Sequence, residues 1–105
     1  MQLSFQDRTY LITGGGSGIG KGVAAGLVSA GASVMIVGRN PDRLAGAVEE
    51  IAPLADRAGN GGAIRYEPTD VTNEDEVVRA VDAATAWHGR LHGAVHCAGG
   101  SLTVG

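Results

Sequence analysis

The sequence predicts an α/β protein with a doubly wound parallel β-sheet, and three observations lead to that prediction. Short apolar segments alternate with segments whose apolar residues recur every three or four positions, the patterns of strands and helices respectively. Glycine is unusually frequent, with 18 residues, and several of them cluster between positions 14 and 22. The 105 residues show no internal repeat and no internal boundary, so we expect residues 1–105 to form one domain.

The first part of the chain has the pattern strand, helix, strand. Residues 9–13 (TYLIT) are apolar and rich in strand-forming side chains, and glycine follows at once. Residues 18–30 place apolar side chains four apart on one helical stripe, and Gly31 is suited to end that helix. Residues 33–37 (SVMIV) form a nearly continuous apolar run, which is typical of a strand buried on both faces of a parallel sheet.

The middle of the chain opens with a helix-start signal. Asn40 is a good N-cap, and Pro41 is favoured at the first helical position. The apolar stripe that follows predicts a second helix ending before Pro53. Residues 58–62 are predicted to form a loop, and residues 63–66 a third, weaker strand.

The last part of the chain adds a third helix and a fourth strand. Thr72 is a suitable N-cap, and acidic residues follow it in the first turn, where the helix dipole favours them. We expect this helix to continue to Gly89 and residues 91–97 to form the fourth strand. The resulting order, β-α-β-α-β-α-β, predicts a parallel sheet with right-handed crossovers.

A glycine-rich segment, residues 13–20 (TGGGSGIG), joins the first strand to the first helix. Gly14 permits a tight turn, Gly18 lets the backbone approach a pyrophosphate, and Gly20 allows close packing of helix on strand. The free N–H groups and the positive dipole end of the helix would face the phosphates. Because a strand precedes the glycines and a helix follows within ~30 residues, the pattern predicts a Rossmann-type nucleotide-binding turn rather than a merely structural loop.

The same segment partly matches a P-loop. Residues 15–21 fit G-x-x-x-x-G-K, but Gly22 stands where a Ser or Thr hydroxyl should bind magnesium. We therefore interpret Lys21 as a solvated helix residue. An ATP- or GTP-using P-loop protein remains an alternative that magnesium-dependent nucleotide binding would favour.

The glycine segment resembles the cofactor signature of the short-chain dehydrogenases/reductases, T-G-x-x-x-G-x-G. Its members here are Thr13, Gly14, Gly18 and Gly20, and the resemblance extends over residues 6–100. It implies a Rossmann-type fold and an oxidoreductase that transfers hydride between a nicotinamide cofactor and a carbonyl or alcohol substrate. It also implies a homo-oligomer, a dimer or tetramer.

Two further segments resemble motifs of that family. Asp70 and Val71, after the third strand, resemble the pair that contacts the adenine ring. Residues 96–99 (HCAG) resemble the Asn-Asn-Ala-Gly segment that stabilises the sheet and lies beside the nicotinamide ribose, with His96 and Cys97 in place of the asparagines. The predicted cofactor-binding residues are Gly14, Gly16, Ser17, Gly18, Ile19, Gly20, Arg39, Asn40, Asp70, Val71, Cys97, Ala98 and Gly99.

The end of the second strand bears on which nicotinamide cofactor is used. A site that prefers NAD usually has Asp or Glu there, roughly 20 residues past the glycines. This chain has Gly38 at that position, followed by Arg39, whose guanidinium can hold a phosphate with two hydrogen bonds. Ser17 and Asn40 can add donors. We therefore predict that the cofactor is NADP, and NAD is the alternative. The alternative interpretation of Arg39 is a solvated loop residue that does not contact the cofactor.

Catalytic residues are not assigned in this chain. The resemblance implies a catalytic Ser and a Tyr-x-x-x-Lys motif on a helix well beyond the fourth strand. Tyr10 and Tyr66 are the two tyrosines, and neither is followed four residues later by lysine. Ser101 is interpreted as a loop residue near the cofactor. We expect the chain to carry the cofactor-binding half of the enzyme and to be inactive alone; a non-enzymatic nucleotide-binding module, complete at this length, is the alternative.

Composition argues against several other classes. The net charge is -3 and the basic residues are scattered, unlike a nucleic-acid-binding surface. A single cysteine permits no intrachain disulfide. No apolar run approaches the ~20 residues of a membrane span, and residues 1–8 lack a signal-peptide pattern, so we expect a cytoplasmic protein. His88, His92 and His96 are four apart, but glycines interrupt any helix there, so we predict no metal site.

Overall fold

The computed structural model describes residues 5–16 and 18–97, and strands alternate with helices throughout them. The α/β prediction is confirmed, with all seven elements in the predicted order. They are β1 (Thr9–Thr13), α1 (Gly18–Ser29), β2 (Ser33–Gly38), α2 (Pro41–Ala58), β3 (Ala63–Pro68), α3 (Glu74–His88) and β4 (Gly93–His96).

The four strands form one parallel sheet in the order β3-β2-β1-β4. The chain builds outward from β1 to β3 and then crosses back to place β4 on the other side of β1. Thr13, the last residue of β1, is in register with Val37 of β2 and His96 of β4. Ligands of such sheets bind outside the carboxyl ends of the strands where the strand order reverses, which is beside Thr13 here.

Helices cover both faces of the sheet, as a doubly wound fold requires. Because successive side chains of a strand point to opposite faces, Ile12 and Ile36 face one layer while Leu11 and Met35 face the other. The first layer contains α1 and α2, and the second contains α3. The buried residues of the first layer are Ile12, Ala24, Val28, Ala32, Val34, Ile36, Leu44, Ala47 and Ile51. Those of the second are Leu11, Met35, Val37, Ala80 and Ala84.

Helix α1 ends as predicted at Gly31, which has a φ of 101°. The N–H of Gly31 donates to the carbonyl of Val28 at 3.0 Å, and the N–H of Ala32 donates to the carbonyl of Leu27 at 3.0 Å. These two bonds form a Schellman motif, which satisfies the last carbonyls of the helix and returns the chain to the sheet.

The prediction that the second helix ends before Pro53 is wrong. Helix α2 continues through Pro53 to Ala58 and ends at Gly59, which has a φ of 63° and donates its N–H to the carbonyl of Ala55 at 2.9 Å. Proline cannot donate to the carbonyl of Glu49. Both residues are exposed, so water can satisfy that carbonyl, and Leu54 then packs against the core.

The predicted N-cap of the third helix is also wrong by one residue. Asn73 caps α3, its side-chain oxygen accepting from the N–H of Glu76 at 3.2 Å. Thr72 instead donates its N–H and its hydroxyl to Asp70, at 2.9 and 2.6 Å. Asp70 thus holds Thr72 in the loop before α3, and the helix begins one residue later with Asn73 as its cap.

Two strands differ in length from the prediction. Strand β3 extends to Pro68, which is in register with Gly38 of β2. Strand β4 is shorter than residues 91–97, although its flanks remain hydrogen-bonded to β1: the N–H of His92 donates to Thr9 and that of Cys97 to Thr13. No helix within residues 5–16 and 18–97 combines the length and apolarity needed to cross a bilayer.

Candidate cofactor-binding site

The glycine-rich turn lies where the sequence places it, between β1 and α1. The N–H of Gly14 donates to the carbonyl of Val37 at 3.0 Å, which ties the start of the turn to β2. Gly14 has a φ of 72°, a conformation that residues with a Cβ adopt at a cost. A Cβ on Gly14 would also overlap the carbonyl oxygen of Cys97 and lie 3.3 Å from its carbonyl carbon. Glycine is therefore required there both by the turn and by the approach of the chain leaving β4.

Gly20 brings the first turn of α1 against the glycine turn. A Cβ on Gly20 would overlap the carbonyl oxygen of Gly14, and it would lie 2.8 Å from the carbonyl carbon of Gly14 and 3.1 Å from the Cα of Gly15. The close packing predicted for Gly20 is therefore present. It fixes the N-terminus of α1 relative to the turn, which is the end of a helix that attracts anions.

Gly18 and Ile19 form the open side of this arrangement. Both are exposed, Ile19 to 63%. Apart from its chain neighbours and the backbone of its own helix, no atom of the described residues lies within 4 Å of a Cβ placed on Gly18. The space beside the first helical residue can therefore accept a ligand that approaches the backbone.

A cleft of about 190 Å³ opens at the carboxyl ends of β1 and β2. This volume is below that of a pocket enclosing a whole drug-sized ligand, so it suits one portion of a larger molecule. Four predicted cofactor-binding residues border it, namely Gly14, Gly16, Arg39 and Asn40. The complete lining is Gly14, Gly16, Gly38, Arg39, Asn40, Arg43 and Leu44. Sequence reasoning did not assign Arg43 or Leu44 to the site.

Arg39 and Asp70, two predicted cofactor-binding residues, form an ion pair. The Arg39 Nη2 donates to Asp70 Oδ2 at 3.1 Å. The Arg39 side chain is 74% exposed and that of Asp70 is 30% exposed, so the pair lies at the solvent edge of the cleft, where such a pair contributes little stability. Its structural effect is to hold a guanidinium across the ends of β2 and β3.

The Asp70 carboxylate is firmly ionised. The Thr72 hydroxyl, the Thr72 N–H and the Arg39 guanidinium all donate to it, and together they lower the pKa of Asp70 from 3.8 to about 2. Val71, the other member of the predicted adenine-contacting pair, is 44% exposed. Asp70 thus presents a fixed negative charge beside the Arg39 guanidinium.

Asn40 caps α2 as predicted. Its backbone is extended, with φ −100° and ψ 102°, and its side-chain oxygen accepts from the N–H of Arg43 at 3.1 Å. This leaves the amide NH₂ as the part of Asn40 that can donate to a ligand.

The segment after β4 is tied to the end of β1. The N–H of Cys97 donates to the Thr13 carbonyl at 3.1 Å and to the Thr13 hydroxyl at 3.3 Å, and that hydroxyl is hydrogen-bonded to His96 Nδ1 at 2.7 Å. His96 therefore connects β4 to β1 at the position where the family that the sequence resembles has an asparagine. Half-buried Cys97 lies beside Gly14.

The remaining predicted positions at the site are Ser17, Ala98 and Gly99, and together with Ser101 they lie outside the described residues.

Lys21, the P-loop-like lysine, is paired with another helix. Its Nζ donates to Glu50 Oε2 at 2.6 Å, and its side chain is 38% exposed. A P-loop lysine must reach the phosphates held by its own glycine loop. The side chain is instead directed to α2.

The three evenly spaced histidines bond to three different strand residues. His88 Nε2 is 2.9 Å from the Ser33 hydroxyl, His92 Nδ1 accepts from the N–H of Thr9 at 3.0 Å, and His96 contacts Thr13. Across residues 5–16 and 18–97, no three His, Cys, Asp or Glu side chains are grouped so that they can hold a metal ion.

Comparison with known proteins adds a family match. The family model described as short chain dehydrogenase matches residues 8–104. Ipsdienol dehydrogenase of Ips pini is 34% identical over 99 residues, which are 94% of this chain and 34% of that protein.

Two solved structures carry the same fold. A short-chain type dehydrogenase/reductase from Mycobacterium ulcerans is 80% identical with a TM-score of 0.87, over 98% of this chain and 36% of that one. A 7α-hydroxysteroid dehydrogenase complexed with NADH and 7-oxo glycochenodeoxycholic acid is 33% identical with a TM-score of 0.74, over 86% of this chain and 33% of that one. The chain spans about a third of the length of each of these proteins.

Proposed function

The chain belongs to the short-chain dehydrogenase family, and from this premise we propose that the intact gene product is an NADP(H)-dependent oxidoreductase. It transfers hydride between the nicotinamide and the carbonyl or alcohol group of a small molecule. The described residues supply the cofactor-binding side of the reaction. When bound, the cofactor gives or accepts the hydride, and these residues bind and orient it.

The observation that carries the proposal is the junction of β1 with α1. Gly20 packs the helix against Gly14, and the space beside Gly18 is open. The first N–H groups of a helix have no partner within the helix, and the helix dipole places positive charge beside them. A pyrophosphate fits this environment because it carries negative charge and accepts several hydrogen bonds.

The charges around the cleft support NADP(H) over NAD(H). The end of β2 carries Gly38 where a carboxylate would bind the adenosine 2′-hydroxyl and repel a 2′-phosphate. Arg39 follows it and borders the cleft. Asp70 is the acid nearest to Arg39, and their ion pair offsets its charge. The hydroxysteroid dehydrogenase of similar fold was solved with NADH, so the preference rests on the residues of this chain.

The catalytic groups are proposed to lie in sequence beyond the described residues. Tyr10 and Tyr66 lie in β1 and β3, and neither begins a Tyr-x-x-x-Lys motif. A Tyr-x-x-x-Lys motif beyond Gly105 in the gene product would support the enzyme. Its absence would favour the non-enzymatic nucleotide-binding module.

We also propose a homo-oligomeric enzyme in the cytoplasm, and light scattering on the intact gene product measures its oligomeric state.

The test is a binding titration of the intact gene product with NADPH, NADH and ATP. Charge-assisted hydrogen bonds are worth about 1.5–3 kcal/mol, so Arg39→Ala should weaken NADPH binding roughly 10- to 100-fold. Binding of NADH should change little, because it has no 2′-phosphate. Arg57→Ala is the matched control, since Arg57 is an exposed arginine in the last turn of α2. Equal losses for NADPH and NADH would contradict the NADP(H) assignment, and tight magnesium-dependent ATP binding would contradict the family-based function.

A further inference from the structure

Resting on the proposed NADP(H) preference, we propose that Arg43 is a second cation for the adenosine 2′-phosphate and shares that phosphate with Arg39. Both arginines border the same cleft. Arg39 follows β2, whereas Arg43 lies in the first turn of α2, four residues later. The two guanidinium groups therefore come from different elements.

The stem of Arg43 is held over the glycine turn. Its Cγ lies 3.4 Å from the position that a Cβ on Gly16 would occupy, so the arginine stem passes close beside the Gly16 backbone. The N–H of Arg43 donates to the Asn40 side chain at 3.1 Å, which fixes the backbone at this point. The long side chain thus starts from a defined position at the edge of the cleft.

The charge of Arg43 is available to a ligand. Arg39 is already paired with Asp70, while Arg43 forms no ion pair with any carboxylate of residues 5–16 and 18–97. Asp42, its neighbour in the first turn of α2, is exposed to solvent, and solvent screens its effect on a bound anion. A phosphate entering the cleft would therefore meet one arginine whose charge is partly offset and one whose charge is not.

Pairing with Asp70 does not remove Arg39 from the site. A guanidinium has five N–H donors, and the bond to Asp70 uses Nη2 alone. The remaining donors can bind phosphate while Asp70 holds the group in place. A 2′-phosphate carries up to two negative charges near neutral pH, so two arginines match it better than one.

The test separates the 2′-phosphate from the rest of the nucleotide. Calorimetric titrations of the intact gene product would compare adenosine 2′,5′-bisphosphate with adenosine 5′-monophosphate. Arg43→Gln keeps most of the stem over Gly16 and removes the charge. We expect it to weaken binding of the bisphosphate roughly 10-fold or more and to change binding of the monophosphate by less than about two-fold. Arg43→Lys should retain part of the affinity, because lysine keeps the charge without the planar pair of donors.

Arg57→Ala is the matched control, since it removes an arginine from the same helix about 21 Å along its axis. Adding Arg39→Ala to Arg43→Gln should abolish the preference for the bisphosphate. Suppose that the unmodified protein prefers the bisphosphate and that Arg39→Ala reduces this preference. If Arg43→Gln then binds both nucleotides as Arg57→Ala does, the role of Arg43 is refuted and NADP(H) specificity stands. If the unmodified protein shows no preference for the bisphosphate, both proposals fail.

Discussion

Replacing Gly20 with alanine tests the contact that fixes α1 against the glycine turn. The added methyl carbon would lie 2.8 Å from the carbonyl carbon of Gly14 and overlap its oxygen. Carbon atoms in contact normally lie about 3.5–4.0 Å apart, so the turn or the helix must move by at least roughly 0.7 Å. Because the obstructing atoms belong to the backbone, no side-chain rotation relieves the overlap.

The expected cost comes from comparison with a glycine in open space. Gly22 lies in the same helix, and apart from its chain neighbours and the helix backbone no atom of the described residues lies within 4 Å of a Cβ placed there. Gly22→Ala should therefore stabilise the protein by about 0.5–1 kcal/mol through helix propensity alone. Gly20→Ala gains the same propensity but adds overpacking of about 1–3 kcal/mol. The free energies of unfolding of the two variants should thus differ by about 1–3 kcal/mol.

Two assays on the intact gene product measure the outcome. Urea unfolding gives the difference in stability, and titration with NADPH gives the effect on the site. In Gly20→Ala, the N–H donors at the start of α1 should be displaced from one charged oxygen of the pyrophosphate, and the affinity for NADPH should fall roughly 10- to 100-fold. Gly22→Ala should bind NADPH with unchanged affinity. The reasoning is refuted if the two variants have equal stability and equal affinity for NADPH.

Two further predictions concern the charges at the cleft. A Cβ on Gly38 would have Leu44 Cδ2 as its neighbour at 3.6 Å, an ordinary contact, so Gly38→Asp should fold. Its carboxylate should repel the 2′-phosphate and weaken binding of NADPH roughly 10- to 100-fold relative to binding of NADH. Competitive binding measures the ratio of the two affinities, and an unchanged ratio would argue against a phosphate at this position. The pKa of Asp70 is lowered from 3.8 to about 2, first by the Thr72 hydroxyl, so its stabilising effect is complete above pH 3.8 and is lost as the pH falls towards about 2. NMR titration of the carboxyl groups should place the titration midpoint of Asp70 near pH 2, and this midpoint should rise in Thr72→Val. A midpoint near pH 3.8 in the unmodified protein would contradict the hydrogen bonds from Thr72 and Arg39 to Asp70.

Much of the fold could be predicted because its signals are local. The run at residues 33–37 is nearly continuous in apolar residues, and it forms β2 up to its last residue, buried on both faces. Gly14 and Gly20 have the tasks predicted for them, since turn conformation and close packing both depend on the missing side chain. Their spacing, read together with the strand pattern before them and the helix pattern after them, was enough to place the turn.

The errors arose where tertiary surroundings decided between local alternatives. Pro53 is accepted inside α2 because it lies on the exposed side, which helix propensity does not reveal. Thr72 and Asn73 are both suitable caps, and the choice depends on Asp70, which engages Thr72. Element boundaries therefore shifted by a few residues while the elements themselves were correct.

The site was predicted as separate positions rather than as an arrangement. Arg39 and Asp70 were each assigned to the cofactor, but their ion pair follows from the parallel register that aligns Gly38 with Pro68. Arg43 was missed because its position in a helix start gives no sign that its stem lies over Gly16. The available signal was its place in the first turn of the helix that follows the β2 end, since that turn must border the same edge of the sheet.

A crystal structure of the intact gene product with NADP(H) tests the central claim most directly. We predict pyrophosphate oxygens within about 2.7–3.2 Å of peptide N–H groups where the glycine turn enters α1, and the 2′-phosphate between Arg39 and Arg43. A pyrophosphate bound away from that turn, or a side chain of the protein filling the space beside Gly18, would contradict the account.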